Sequence, residues 1–203
     1  MIQKQKKEAL KKPPFFISYL ITDPEEFGNT PQSLKSSLTK VLRLYKVDII
    51  CFRDKVSSDK ENLAKVFLEV CREFSIKKVL INSDIELSQQ LGFDGVHLNS
   101  QQFDKIKNLQ NKNIFIIISC HNEKEIQLAK KNGAKMITYS PVFFKKNKGE
   151  PKGLKNLAKM VSLYQEDDFG IIGLGGIITV QNRDEIQRTQ AKGFASIRYF
   201  TVK

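Results

Sequence analysis

The sequence has no tryptophan, and its 203 residues hold only two histidines, three cysteines and six prolines. Each scarcity removes a class of protein. Single-strand nucleic-acid binders stack bases on aromatic platforms, and here Phe15 and Phe16 read instead as part of a strand. Cys51, Cys71 and Cys120 are odd in number and far apart, in apolar or helix-like surroundings. They read as buried reduced thiols, not as a disulfide framework. With only His97 and His121 available, a His/Cys metal cluster is disfavoured. The longest apolar stretches, Phe15 to Ile21 and Ile114 to Ile118, fall far short of the ~20 residues that cross a bilayer. Lys11 and Lys12 before the first stretch imitate a secretory signal, but no small-residue cleavage site follows. The reading is a cytoplasmic protein with no membrane partner.

What is present is charge and alternation. Lys and Arg number 34 against 22 Asp and Glu, a formal charge of +12, with 40% hydrophobic residues. Such a balance attracts anions, nucleic acid and phosphorylated metabolites alike, without choosing among them. β-rich runs start near Phe15, Asp48, Lys77, Asp94, Ile114, Lys135, Phe169 and Gly193. Between them lie helical periodicities such as Leu34, Leu38, Val41, Leu42, Tyr45, then Leu63, Val66, Phe67, Val70, Phe74, and later Ile126, Leu128, Ala129. Parallel strands need crossover connections, so eight strand-helix alternations predict a (β/α)8 TIM barrel, with an open doubly wound sheet as the alternative. Residues 15–203 read as a single barrel domain, preceded by a basic extension over 1–14. The chain stops soon after the eighth run, so the barrel is expected to lack its final helix and to leave one side uncovered.

Reactive groups of such barrels sit where strands end, the one face that unites side chains from several strands. Those positions hold Thr22 and Asp23, Arg53 and Lys55, Asn82, His97 and Asn99, Ser119 and His121, Ser140, and the lysine-rich loop from Lys145 to Lys152. Arg53 and Lys55 read as cations aimed into the mouth, or as a salt-bridged rim. Gly173-Leu174-Gly175-Gly176 closes the seventh run, where glycine backbone can approach an anion closely and where these barrels often bind phosphate. Lys148 and its neighbours add cations above the same cavity, or form a solvated loop. His121, beyond the most continuous apolar strand, suits acid or base work. His97 faces away from Val96 and Leu98, which favours a structural place lining the barrel.

The ordered motifs Tyr19-Leu20-Ile21-Thr22-Asp23, Arg53-Asp54-Lys55, Leu80-Ile81-Asn82, Asp94-Gly95-Val96-His97-Leu98, Ser119-Cys120-His121, Ser140-Pro141-Val142-Phe143 and Gly173-Leu174-Gly175-Gly176-Ile177 resemble the thiamine phosphate synthase and thiazole tautomerase superfamily from about Phe15 to Phe200. The resemblance implies a (β/α)8 barrel and a small phosphorylated thiazole as substrate. For the synthase branch it also implies magnesium, with carboxylates where this chain has Ser83 and Gln102, a glutamine where it has Cys51, and threonines in the loop that retains Lys148. Neutral Ser83 and Gln102 are poor magnesium ligands. Asp84 and Asp104 lie nearby, but Ser83 to Glu86 reads as a capping box opening a helix.

The losses suit the tautomerase branch, which needs no metal and no cofactor and uses a histidine matching His121. The expectation is therefore a metal-independent thiazole tautomerase, an isomerase, with catalytic His121. Substrate and phosphate would meet Arg53, Lys55, Asn82, Ser119, Lys148, Gly175, Gly176 and Arg198. The alternatives are a divergent, magnesium-dependent thiamine phosphate synthase, a transferase, and a non-catalytic anion-binding or nucleic-acid-binding descendant. Arg198 and Tyr199 fall on the predicted eighth strand, Phe194 to Phe200, where the resemblance expects small residues against the phosphate. Self-association as a homo-oligomer is left open.

Overall fold

Along each strand, apolar side chains on alternate positions face two different cores, and that alternation decides how the chain closes. The computed structural model describes residues 15–109, 114–145 and 149–201. In chain order they form β1 (Ile17–Ile21), α1 (Pro24–Phe27), α2 (Pro31–Leu44), β2 (Ile49–Phe52), α3 (Lys60–Glu73), β3 (Lys78–Asn82), α4 (Ile85–Leu91), β4 (Gly95–Leu98), α5 (Phe103–Leu109), β5 (Phe115–Cys120), α6 (Glu123–Lys131), β6 (Met136–Tyr139), α7 (Gly153–Tyr164), β7 (Gly170–Leu174), α8 (Val180–Arg188) and β8 (Gly193–Ser196). The eight strands make one closed parallel barrel in sequential order. Closure comes from β8 against β1, with Ile17 opposite Gly193 and Leu20 opposite Ser196. The predicted TIM barrel is therefore the observed fold.

Inward positions Tyr19, Ile49, Cys51, Leu80, Ile117, Ile172 and Ala195 fill the barrel. Their outward neighbours, among them Leu20, Ile50, Phe52, Ile118, Ile171 and Phe194, pack beneath the helices. The apolar stripes of α2 and α3 were legible: Leu34, Leu38, Val41 and Leu42, then Leu63, Phe67 and Val70, are buried. Leu128, part of the periodicity read for α6, is exposed. At the amino-terminal end two carboxylates staple neighbouring strands. Asp48, itself buried, accepts from the Ser18 amide at 3.0 Å, and Asp94 accepts from the Val79 amide at 2.7 Å. All three cysteines are free and buried.

Three local expectations are corrected. Phe15 and Phe16 precede β1 instead of belonging to it. The helix after β3 starts with Asp84 as its N-cap, accepting from the Leu87 amide at 3.1 Å, so no box is built on Ser83. The eighth strand stops at Ser196, and Arg198–Phe200 is a 3-10 turn. That turn has a consequence for the seam expected to lie open. Phe194 stacks on Phe16 and Phe200, with centroids 5.9 Å and 5.8 Å apart, and meets Tyr199 edge-on at 4.9 Å. Tyr45, from the end of α2, completes the cluster against Phe200 at 5.5 Å. Among the described residues, aromatic rings thus pack over the outer face of β8. The basic extension 1–14 lies outside the described residues.

Candidate functional site at the carboxyl ends of the strands

Glycine shapes one wall of the barrel mouth. After β7 the chain turns through Gly175 at φ +101° and Gly176 at φ +70°, a region that side-chain-bearing residues rarely adopt. Space imposes the same choice: a Cβ on Gly175 would lie 2.9 Å from Pro141 Cα, and one on Gly176 would lie 2.6 Å from the Phe144 carbonyl oxygen. The turn is thereby pressed onto the segment after β6. There the Val142 amide donates to Leu174 O at 2.9 Å and the Phe143 amide to Gly175 O at 3.0 Å. Ser196 secures the other side: its hydroxyl donates to Ile177 O at 2.7 Å and accepts from the Tyr199 amide at 3.1 Å.

Between these segments lies a cavity of about 280 Å³ whose walls include Gly175, Gly176, Arg198, Lys145, Glu25 and Asp23. Charge in it is mixed. Asp23 both caps α1, accepting from the Glu25 amide at 3.2 Å, and pairs with the Arg53 guanidinium. The salt-bridged rim considered for Arg53 is thus present, and Asp23 fixes where that cation stands. Lys55 is exposed beyond it. Lys148 lies outside the described residues.

A second polar group crosses β3 to β6. The half-buried His121 ring places Nδ1 2.9 Å from the Ser140 carbonyl oxygen, and a carbonyl only accepts. Nδ1 therefore carries the proton in the neutral ring, and Nε2 keeps the lone pair. The His121 amide donates to Glu125 at 2.6 Å, which fixes the backbone at the start of α6. His97, 3% exposed, lines the barrel as its alternation implied. Its Nδ1 is 2.7 Å from the Tyr19 hydroxyl and its Nε2 is 3.1 Å from Ser119 Oγ. Burial, helped by the Arg53 charge, holds its pKa down to about 4. Asn82 spends its amide on the His97 carbonyl at 2.9 Å, bracing β3 against β4. Burial also pushes Cys51, beside Tyr19, up to about 12, so it stays a thiol.

The two places where the resemblance puts metal-binding carboxylates are brought together by the fold. Gln102 donates to Ser83 O at 3.0 Å, Asn99 donates to Ser83 Oγ at 3.2 Å, and Gln102 Oε1 accepts from the Asn99 amide at 3.1 Å. This is a neutral network, closed on itself. It does not offer the anionic oxygens that magnesium needs. Asp84 is occupied as a helix cap and by Lys60 at 2.7 Å. Among the described residues no three His, Cys, Asp or Glu side chains gather as a metal site.

The anticipated residues therefore fall into two sets. Gly175, Gly176 and Arg198 line the cavity, with Arg53 tied to it through Asp23. Asn82 and Ser119 belong to the group around His97, and His121 bonds Ser140, whose neighbour Pro141 packs against the glycine turn. Tyr19, Thr138 and Ser196 escaped the sequence reading of the site. Tyr19 was visible only as part of a motif, and no spacing pairs it with His97, 78 positions away. A larger cavity of about 840 Å³ opens at the opposite end, among strand starts such as Lys78, Asp94 and Phe115. That end, away from the polar face, is where barrels of this class keep their stability-related residues.

Comparison with known proteins agrees with the geometry. The thiamine monophosphate synthase family profile matches residues 18–200. The thiamine-phosphate synthase of Lactococcus lactis subsp. lactis is 27% identical over 91% of this chain and 88% of its own length. That of Bacillus cereus is 29% identical over 74% of this chain and 71% of its own. Among solved structures, the thiamine phosphate pyrophosphorylase of Pyrococcus furiosus superposes with a TM-score of 0.75 at 21% identity, covering 90% of this chain and 85% of that one. With its match running from β1 through the glycine turn to the 3-10 turn after β8, this chain belongs to the thiamine monophosphate synthase family.

Proposed function

We propose that the protein joins a phosphorylated thiazole to a pyrimidine methyl pyrophosphate, the transferase reaction for which its relatives are named. The observation that carries this reading is the family match across every strand of the mouth, with relatives named as synthases. It reverses the order expected from the sequence, which put the isomerase first. In this reading the thiazole phosphate rests against the Gly175–Gly176 backbone and Arg198. Arg53, oriented by Asp23, stabilises charge on the departing pyrophosphate while the thiazole nitrogen bonds to the pyrimidine methylene carbon. Lys55 and Lys148 are proposed as further cations for the same anions. Ser83 and Gln102 take no part in metal binding. The barrel is proposed as one cytoplasmic domain over 15–203, with 1–14 as a basic extension.

A second reading is favoured by two specific observations, the neutral Ser83–Gln102 network and the His121 ring with its lone pair on Nε2. Here Nε2 removes a proton from one ring position of thiazole carboxylate phosphate and returns it to another, making the ring aromatic without a metal. One assay separates the two. Purified protein is given pyrimidine pyrophosphate with thiazole phosphate, or thiazole carboxylate phosphate alone, with magnesium and then with chelator. Formation of thiamine phosphate supports the transferase. Aromatisation alone, insensitive to chelator and lost in His121→Ala, replaces it with the isomerase, and neither product rejects both.

A further inference from the structure

Tyr19, His97, Ser119 and Thr138 form a polar column inside a barrel filled otherwise by apolar side chains. Polar groups in such a place need partners, so the direction of each hydrogen bond can be worked out. The Tyr19 hydroxyl is fully buried, 2.7 Å from His97 Nδ1. Its other polar neighbour is the Cys51 thiol, and sulfur is a weak acceptor. The phenol proton therefore goes to Nδ1, and the imidazole proton sits on Nε2. Burial and the nearby Arg53 keep the ring from taking a second proton near neutrality. Nε2 faces Ser119 Oγ at 3.1 Å, and the Thr138 hydroxyl stands 3.4 Å from both Nε2 and Ser119 Oγ. With Nε2 protonated, Thr138 has no acceptor there and donates to Ser119 as well. Both lone pairs of Ser119 are then used, while its own proton is left over. Ser119 is half-buried, one inward position before His121 at the carboxyl end of β5.

We propose that Tyr19 and His97 are positioning residues: Tyr19 fixes the His97 tautomer, His97 and Thr138 saturate the Ser119 oxygen, and Ser119 meets its ligand only as a hydrogen-bond donor. The ligand atom facing Ser119 is then an acceptor, an unprotonated ring nitrogen or an anionic oxygen. This last step rests on the proposed binding of a phosphorylated thiazole, whereas the tautomer does not.

Two measurements test it. In the full chain labelled with 15N-histidine, long-range 1H–15N spectra at neutral pH should show His97 protonated on Nε2 and bare on Nδ1. Tyr19→Phe should weaken that preference. His97 protonated on Nδ1 in the unsubstituted protein overturns the proposal, whatever the ligand. Calorimetry with thiazole phosphate then compares His97→Gln, which keeps an acceptor toward Tyr19 and a donor toward Ser119, with His97→Leu, which keeps neither. The Gln variant should bind within about twofold of the unsubstituted protein and the Leu variant about tenfold more weakly, the scale of one hydrogen bond. Tyr19→Phe, weaker than the unsubstituted protein, serves in place of His97→Leu if the latter does not fold. Equal affinities across the variants overturn the role given to Ser119. Failure of the unsubstituted protein to bind thiazole phosphate instead overturns the thiazole reading, and the spectra still decide the polarity.

Discussion

His97 and His121 show how the same side chain is given different work by its surroundings. His121 is half-buried at the mouth, with one nitrogen fixed by a backbone carbonyl and the other left as a base. His97 is sealed among hydroxyls inside the barrel, its pKa held near 4 by burial against an ordinary 6.5. The sign of the stability effect follows. Between those values the unfolded chain binds a proton on His97 that the folded chain refuses, so stability is full above pH ~6.5 and falls as pH drops toward 4. The loss from this one group is about 3 kcal/mol, as an order of magnitude. His97→Gln does not titrate, so a thermal-unfolding series should show a flatter profile in that window for the variant. Parallel profiles would mean that His97 is not buried neutral. The polarity of the His97 site was illegible in the sequence, because Tyr19, Ser119 and Thr138 meet it only through barrel closure.

The starts of the strands were legible within about two residues because alternation and β-branched runs mark them. The four-residue α1 was not foreseen, although Asp23 and Pro24 are a cap and a first-turn proline of the usual kind. Strand β8 was overextended because Phe194 to Phe200 alternates like a strand. In fact Ser196 turns the chain by accepting from the Tyr199 amide, which puts Arg198 at the cavity. The glycine turn was read as a place of close approach to an anion, and what the structure presses against it on one side is Pro141 and Phe144. Gly176→Ala combines a positive φ with a clash against backbone, so it should cost about 1–3 kcal/mol and lower the unfolding midpoint, together with affinity for thiazole phosphate. An unchanged midpoint would show that the turn is free to rearrange. The Ser83–Gln102 pair gives a constructive counterpart. Ser83→Asp combined with Gln102→Asp places two carboxylates at neighbouring positions and should bind magnesium, measured by calorimetry, more tightly than the unsubstituted protein does. Heat from magnesium in the unsubstituted protein at the same level would refute the neutral-network assignment.

The net charge of +12 draws anions toward the molecule as a whole, yet the mouth itself mixes Arg198 and Lys145 with Asp23, Glu25 and Glu26. Long-range attraction is screened by salt over about 10 Å at 0.1 M, whereas the local recognition proposed above falls to the glycine backbone and Arg198. No helix among the described residues is long and apolar enough to cross a membrane. Strand-helix alternation favoured the barrel over an open sheet, and the pairing of β8 with β1 decides between them. The choice of reaction was not legible, because the proposed transferase and isomerase readings draw on the same residues of the mouth. The most direct measurement is a crystal structure of the full chain with thiazole phosphate. The ligand's phosphate is expected against the Gly175–Gly176 backbone and Arg198, with its ring toward Ser119. A phosphate bound elsewhere, for example in the cavity beside Lys78 and Asp94, would contradict it.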